Sequence, residues 1–401
     1  MAPFGAEDRL PGTAVPAVLP YGTARLAKLA FEGADLKPAW RTLYDRFVAG
    51  TEESASLMDL ATIEQLCGNE AAALTCQRAA LERGSLFRSP TAGAVPSVRL
   101  LALAAPGDIG TNTPLEFMLE GTDVALDTLY VSPGQDALLP RGAYDLAIVA
   151  AGESDANRPV LAAAARIAAT LGLPLLNDPT RVTPLARDSL ASLFGNVPSL
   201  VVPPTRRLGR DPLARADEFP FIARPVDSHA GRGLARIDDR GALETYLGSR
   251  AETSFFATPF IDYRSTDGLF RKYRIAFIDG RPFACHMAIA DQWMIYYLNA
   301  GMRESAEKRA EEARFMRDFD TDFARRHEAA LAGIARRIGL DYFAIDCGVL
   351  PDGRVVLFEA DIAMIVHAMD PPDLFPYKAP QMRKVFDAFR AMLRARAGRA
   401  P

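Results

Sequence analysis

The chain of 401 residues has only four cysteines (Cys67, Cys76, Cys285 and Cys347). They lie far apart, with no CxxC and no Cys/His ligand spacing, which excludes a zinc-finger framework and gives no disulfide pattern. Reduced, mostly buried thiols are expected. Positive charge is not in excess: 46 Lys and Arg stand against 50 Asp and Glu, a net charge of −4. That balance argues against a nucleic-acid partner. No apolar run approaches the ~20 residues needed to span a bilayer. The opening stretch MAPFGAEDRLPG has early acids and prolines and no apolar h-region, so neither a signal peptide nor a membrane partner is expected, and a cytoplasmic location is. What remains is an ordinary globular composition, 49% hydrophobic and 24% charged, with length enough for two or three domains.

Residues 1–35 are punctuated by Pro and Gly and read as a loose arm. Over 36–90 the apolar spacing turns helical, with breaks at Gly50 and Gly68. Within it CGNEAAALTCQRAAL resembles one tetratricopeptide helix pair, with Ala71, Ala72 and Ala79 as a small-residue face. A lone pair cannot form a solenoid, so a helical hairpin packed on the rest of the protein or on a second subunit is the simpler reading. After the linker SPTAGAVPS the period changes. VRLLALAA, ALDTLYV, DLAIVAAG and LPLLND read as strands and RPVLAAAARIAATLG as a helix. Together they predict a small Rossmann-like domain over 97–180, with GDIGTNTP as a substrate-side loop. Over 181–401 the expectations are a helix TRVTPLARDSLASLFG, paired strands, a long charged helix over 302–326 read as a solvated face, and an amphipathic tail helix. The fold class is therefore α/β, with strands and helices mixed again over 181–401.

Two stretches carry chemistry. FIARPVDSHAGRGLARI reads strand, glycine loop, strand. No Lys-Ser/Thr follows the glycines and no helix begins there, which excludes a P-loop and a dinucleotide loop. A hairpin lying over phosphates is left, its glycines letting backbone N–H groups approach an anion beside Arg224; a surface hairpin stays open as the plainer alternative. LDYFAIDCGVLPDGRVVLFEADIA is a hairpin about the turn at Asp352 and Gly353. Its antiparallel strands can set Asp346 beside Glu359, and the two-residue spacing puts Glu359 and Asp361 on one face. Three carboxylates in an apolar setting need compensation, either by hard cations such as Mg²⁺ or by salt bridges to nearby arginines.

The order of these features resembles the ATP-grasp superfamily, and within it the RimK/glutathione-synthetase-like carboxylate–amine ligases, over residues 98–395. LPLLNDPTRV, FIARPVDSHAGRGL, ATPFIDYRSTDGLFRKYRIAFIDGRPF and the terminal hairpin each resemble a family segment. The resemblance implies ATP as co-substrate and two Mg²⁺ ions, with Mn²⁺ as a substitute. It implies phosphate contacts from Arg224 and Arg187 and a loop of Ser228, His229, Ala230, Gly231, Arg232 and Gly233. It further implies an adenine hinge at Pro259, Phe260 and Ile261, catalysis by Arg274 and Arg224, and metal ligands Asp346, Glu359 and Asp361. Arg224 and Arg187 stand where the family usually has Lys, Pro259 where it has an acid, and Asp361 where it commonly has Asn.

The implied reaction is phosphorylation of a carboxylate by ATP, then displacement of phosphate by an amine. Small-molecule carboxylate and amine partners, a homodimer, and a protein partner through residues 36–90 are the expectations for assembly. CHMAIADQWMIYYLNAGM suits a small polar ligand with an apolar part, with His286, Trp293 and Asn299 as candidate contacts and His367 as another; packing roles remain the alternative. Cys285 and His286 are strand neighbours facing opposite ways, which argues against a catalytic pair. Two rival functions stay open. One is an ATP-grasp phosphotransferase, and the other a nucleotide-binding scaffold acting through the N-terminal helices. A ligase core independent of those helices is expected to keep turnover when residues 1–90 are removed.

Overall fold

The structure is a computed structural model that describes residues 15–92, 95–132, 139–226, 228 and 231–398. It begins with β1 (Ala17–Val18), α1 (Thr23–Phe31), α2 (Lys37–Val48), α3 (Glu53–Leu66), α4 (Glu70–Arg83) and β2 (Leu86–Arg88). Leu26, Leu43, Leu60, Ile63 and Phe87 form one core among these helices. Residues 17–31, read from the sequence as part of a loose arm, are therefore a strand and a helix. Their order comes from β1 pairing in parallel with β2 and from the buried face Ala24, Leu26 and Ala27 of α1. On α4 the close-packing stripe is Ala73, Gln77 and Ala80, while Ala71 and Ala72 are exposed. The helical period selects 73, 77 and 80 as one face, a few residues from the expected one.

Next come β3 (Val98–Ala104), α5 (Leu115–Leu119), β4 (Val124–Tyr130), β5 (Leu146–Val149), α6 (Arg158–Leu171) and β6 (Leu175–Leu176). The sheet order is β1-β2-β4-β3-β5-β6. β4, β3, β5 and β6 run parallel, as their continuous apolar sequences require of strands covered on both faces. Because β1 and β2 extend this sheet, the N-terminal helices are built onto it and do not hang from a linker.

The segment expected as one helix over 180–195 is broken. α7 (Pro179–Val182) passes into a 3₁₀ turn over Thr183–Leu185, and α8 (Leu190–Phe194) follows. Pro184 cannot supply the N–H that a continuous helix needs. The break leaves Arg187 on a loop. β7 (Leu200–Val201) leads to a lobe made of β8 (Arg206–Gly209), α9 (Arg210–Ala214), β9 (Phe221–Pro225), β10 (Ala235–Ile237), α10 (Arg240–Gly248) and β11 (Ser254–Pro259). Its antiparallel sheet is ordered β10-β9-β11-β8, over a separate small core that includes Leu213, Leu243 and Phe255.

The last part contains β12 (Phe270–Ile278), β13 (Arg281–Ala290), α11 (Ala306–Arg317), α12 (Phe323–Arg326), α13 (Glu328–Ile338), β14 (Tyr342–Val349), β15 (Val355–Asp361) and α14 (Lys378–Arg396). Its sheet is ordered β13-β12-β14-β15-β7. The charged segment over 302–326 is not one solvated helix. The chain turns after α11 so that Phe319 and Phe323 enter the core, at 4% and 3% exposure, and Glu312 is itself fully buried.

Candidate active site

A cavity of about 990 Å³ lies where the three sheets meet. Its walls come from the loop after β3, the loop carrying Arg187, the β9–β10 hairpin, the end of β11, strands β12 to β15, the segment 293–298 and the start of α14. Phe31, Gln65, Gly68 and Glu70 of the N-terminal helical segment also line it. The Rossmann-like part contributes Asp108, Ile109 and Gly110, from the loop read as substrate-side.

The strand–glycine loop–strand reading matches the structure: β9 and β10 pair antiparallel, with Ala235 opposite Ala223. Gly231 and Gly233 have φ of 69° and 68°, a region that disfavours side chains. A Cβ on Gly231 would lie 1.3 Å from Tyr296 Oη, and one on Gly233 2.7 Å from Pro225 Cδ. Arg224, 9% exposed, donates from Nε to Ser228 Oγ at 3.2 Å and from Nη2 to the Ser228 carbonyl. Burial, with the neighbouring Arg187, lowers the Arg224 guanidinium to about 10. Arg232 pairs across the cavity wall with Glu70 of α4 at 2.8 Å and Asp108 at 3.6 Å. Of the expected loop contacts, His229 and Ala230 lie outside the described residues.

The three carboxylates also line the cavity. Asp346 is the direct cross-strand partner of both Glu359 and Arg274. Its Oδ1 accepts from Arg274 Nε at 2.8 Å and its Oδ2 from Arg274 Nη2 at 3.0 Å, with Lys272 Nζ 3.1 Å away. Burial alone would raise the Asp346 carboxyl, but Arg274 and Lys272 outweigh it and hold the group far below the usual range. Glu359 pairs with Arg187; there too burial is outweighed, by Arg187, and the carboxyl is lowered. Asp361 accepts local backbone N–H groups, that of Ala363 at 3.1 Å and that of Ile362. Burial, helped by Glu359, pushes it up to about 6. The segment after β5 abuts it: a Cβ on Gly152 would lie 3.2 Å from Asp361 Oδ1.

This is the salt-bridge arrangement that the sequence left open beside the metal one. Among the described residues no group of three His, Cys, Asp or Glu side chains is set to hold a metal ion. The donor chemistry still fits a hard cation, since all three acids are oxygen donors on adjoining strands. Around them, however, four cations (Arg187, Arg224, Lys272 and Arg274) face three carboxylates. That field repels a bare divalent ion and suits a cation carried by a polyanion.

The other expected contacts divide. Pro259, Phe260, Ile261 and Trp293 line one end with Ile222, Phe256 and Leu357, an apolar slot in which the Phe260 and Trp293 rings meet edge to face at 5.9 Å. His286 and His367 also line the cavity. Asn299 does not. Its amide caps a 3₁₀ turn, accepting from Tyr296 N at 2.8 Å and donating to the Met294 carbonyl. A polar residue two positions ahead of a glycine was as fit to cap a turn as to meet a ligand. Sequence reasoning missed Lys272, Asp370 and Lys378 among the lining residues. Lys272 was findable, because it lies two residues from Arg274 and so shares its strand face.

No family model matches the chain, and no curated protein matches it. Among solved structures it is similar to a D-alanine–D-alanine ligase from Bacillus anthracis complexed with ATP (13% identity, TM-score 0.45, 76% of this chain and 100% of that one). It is also similar to a RimK domain ATP-grasp protein from Sphaerobacter thermophilus (20%, 0.42, 75% and 99%). A third is the VanG D-Ala:D-Ser ligase from Enterococcus faecalis (14%, 0.40, 62% and 73%). The chain is α/β, with an N-terminal helical segment on a Rossmann-like sheet and two further lobes.

Proposed function

We propose that the protein is an ATP-dependent carboxylate–amine ligase that makes an amide bond through an acyl-phosphate. The observation that supports it most is the cavity itself: Arg187, Arg224, Lys272 and Arg274 and three carboxylates share one chamber with an apolar slot at its end. An adenine suits the slot of Ile222, Phe256, Phe260 and Leu357. Arg224 and Arg187 are placed to take phosphate oxygens as charge-assisted donors. Asp346, Glu359 and Asp361 are the residues that would hold Mg²⁺, whose chemistry when bound is to neutralise charge on the phosphate oxygens.

In the first step a carboxylate oxygen attacks the γ-phosphorus of ATP and the bond to ADP breaks. In the second the amine attacks the acyl carbon, phosphate leaves, and the amine's proton passes to solvent. Positioning and charge neutralisation carry such chemistry, with no protein nucleophile. Arg274, fixed by two hydrogen bonds to Asp346, and Lys272 beside it hold positive charge where negative charge develops. Cys285 is buried, and burial pushes its thiol up to about 12, so it stays protonated.

The test is Mg²⁺-dependent release of ADP and phosphate across a panel of amino-acid pairs, with Glu359→Ala as control. Substrate-dependent phosphate release that the variant loses is the expected result. A phosphorylated product in place of free phosphate would make the protein a phosphotransferase, and failure to bind ATP would reject the proposal.

A further inference from the structure

Past Asp346 the cavity continues to an end to which the reaction above gives no role. Lys378, at the start of α14, is 3% exposed but reaches this end, as do Asp370, His286, His367, Tyr297 and Phe31. A buried ammonium is costly unless it is paired. Lys378 Nζ lies 3.1 Å from Asp370 Oδ2 and 3.5 Å from Glu312 Oε1. It also sits 3.8 Å from the centre of the Tyr297 ring and 4.8 Å from that of Phe375.

Glu312 is committed behind it. Its Oε2 accepts from Tyr297 OH at 2.7 Å and Tyr377 OH at 2.6 Å, and its Oε1 from Met287 N at 3.1 Å. Lys378 is thus fixed in place, with Asp370 the one acceptor within hydrogen-bond distance among the described residues. An ammonium has three N–H donors, so donor capacity is left at the cavity wall. Asp370 has Oδ1 to spare in the same way. The two histidines add no charge here: burial lowers both below their usual range.

One anchored cation beside one carboxylate complements a zwitterion. We infer that Lys378 and Asp370 are the specificity-determining pair for an α-amino acid, Lys378 taking its α-carboxylate and Asp370 its α-ammonium. With both head groups held there, the carboxylate that is phosphorylated is a second one, on the side chain. Arg274 and Lys272 adjoin this end. His286 is the cross-strand partner of Arg274, and its ring lies 4.9 Å from Tyr297, on which Lys378 rests. Arg274 Nη1 also donates to the carbonyl of Ile365 at 3.0 Å, five residues before Asp370. The substrate class is therefore a dicarboxylic amino acid activated at its side chain. This inference rests on the ligase reading.

Hydroxylamine traps an acyl-phosphate as a hydroxamate, so the donor can be tested without knowing the natural amine. Aspartate or glutamate should give ATP-dependent hydroxamate. Glutarate and the α-amide of glutamate, each lacking one head-group charge, should need KM values about tenfold higher or more. Asp370→Asn and Lys378→Met should raise KM for the amino acid by about the same factor and leave the Kd for ATP within about twofold. Lys378→Arg, which keeps the charge, should recover part of the loss, and melting curves would show that each variant is folded. Equal use of glutarate and glutamate, or an unchanged KM in a folded Asp370→Asn, would overturn the inference. So would ATP binding and turnover with a different carboxylate but none with a dicarboxylic amino acid. Failure to bind ATP at all would instead reject the ligase reading beneath it.

Discussion

Strands β3 and β14 are buried almost equally, yet they are built differently. β3 is Val-Arg-Leu-Leu-Ala-Leu-Ala, and its one charge, Arg99, meets Asp145 at the strand's start at 2.8 Å. β14 carries Asp346 in mid-strand at 4% exposure, with Arg274 and Lys272 of β12 closing on it. Replacing such an ion cluster by apolar residues is often neutral or stabilising, so stability alone does not account for the charges of β14. On the proposed function, they serve a ligand that carries charge. β3 supplies framework, and β14 keeps polar groups that a framework strand could do without.

The largest effect should come from removing residues 15–83. Leu26, Leu43, Leu60 and Ile63 share a core with Phe87 of β2, and Phe31 and Glu70 line the cavity. The shortened chain should lose soluble expression or cooperative melting, contrary to the expectation of an independent ligase core. A folded truncation with full turnover would restore that expectation.

Next in size is a matched pair of variants. Leu100→Ala in β3 removes a fully buried side chain and should cost roughly 2–5 kcal/mol, with ATP affinity intact in the protein that stays folded. Asp346→Ala leaves Arg274 and Lys272 without their carboxylate. It should cost about 3 kcal/mol or more and also abolish turnover. Denaturant titration beside an ADP-release assay reads both. If Asp346→Ala kept its activity, the distinction between the two strands would fail.

A smaller effect separates the helical segment from the cavity. Asp59 of α3 is 1% exposed and accepts the backbone N–H groups of Tyr21 and Gly22. Burial pushes its carboxyl up to about 7, against those hydrogen bonds. An acid with a raised folded value binds its proton more tightly folded than unfolded. Its contribution is therefore greatest at low pH and is lost as pH rises from about 4 towards 7. Asp59→Asn should flatten that part of the stability profile by a few degrees in Tm, with ATP affinity unchanged. An unaltered pH profile would contradict the assignment.

Much of this was legible in the sequence because the relevant signals are local. Continuous apolar runs marked β3, β4 and β5; the Asp352-Gly353 turn set Asp346 opposite Glu359; the glycine pair marked the β9–β10 loop. What was not legible depends on contacts between distant segments. The ion pairs of Asp346 and Glu359 with Arg274 and Arg187 follow from packing, not spacing. Lys378 begins a tail helix whose amphipathic pattern makes a lysine look solvent-facing, and only the neighbouring Glu312, Tyr297 and Asp370 bury it. Asn299 failed for the converse reason, since its polar side chain serves its own turn.

The most direct measurement of the central claim is the fate of oxygen in the carboxylate. The substrate that drives ADP release would be labelled with ¹⁸O in its carboxylate and turned over with ATP, and the released phosphate analysed by mass spectrometry. An acyl-phosphate transfers one carboxylate oxygen to phosphate, so one ¹⁸O per phosphate is the predicted result. Phosphate free of label, or label retained in full by the product, would contradict it.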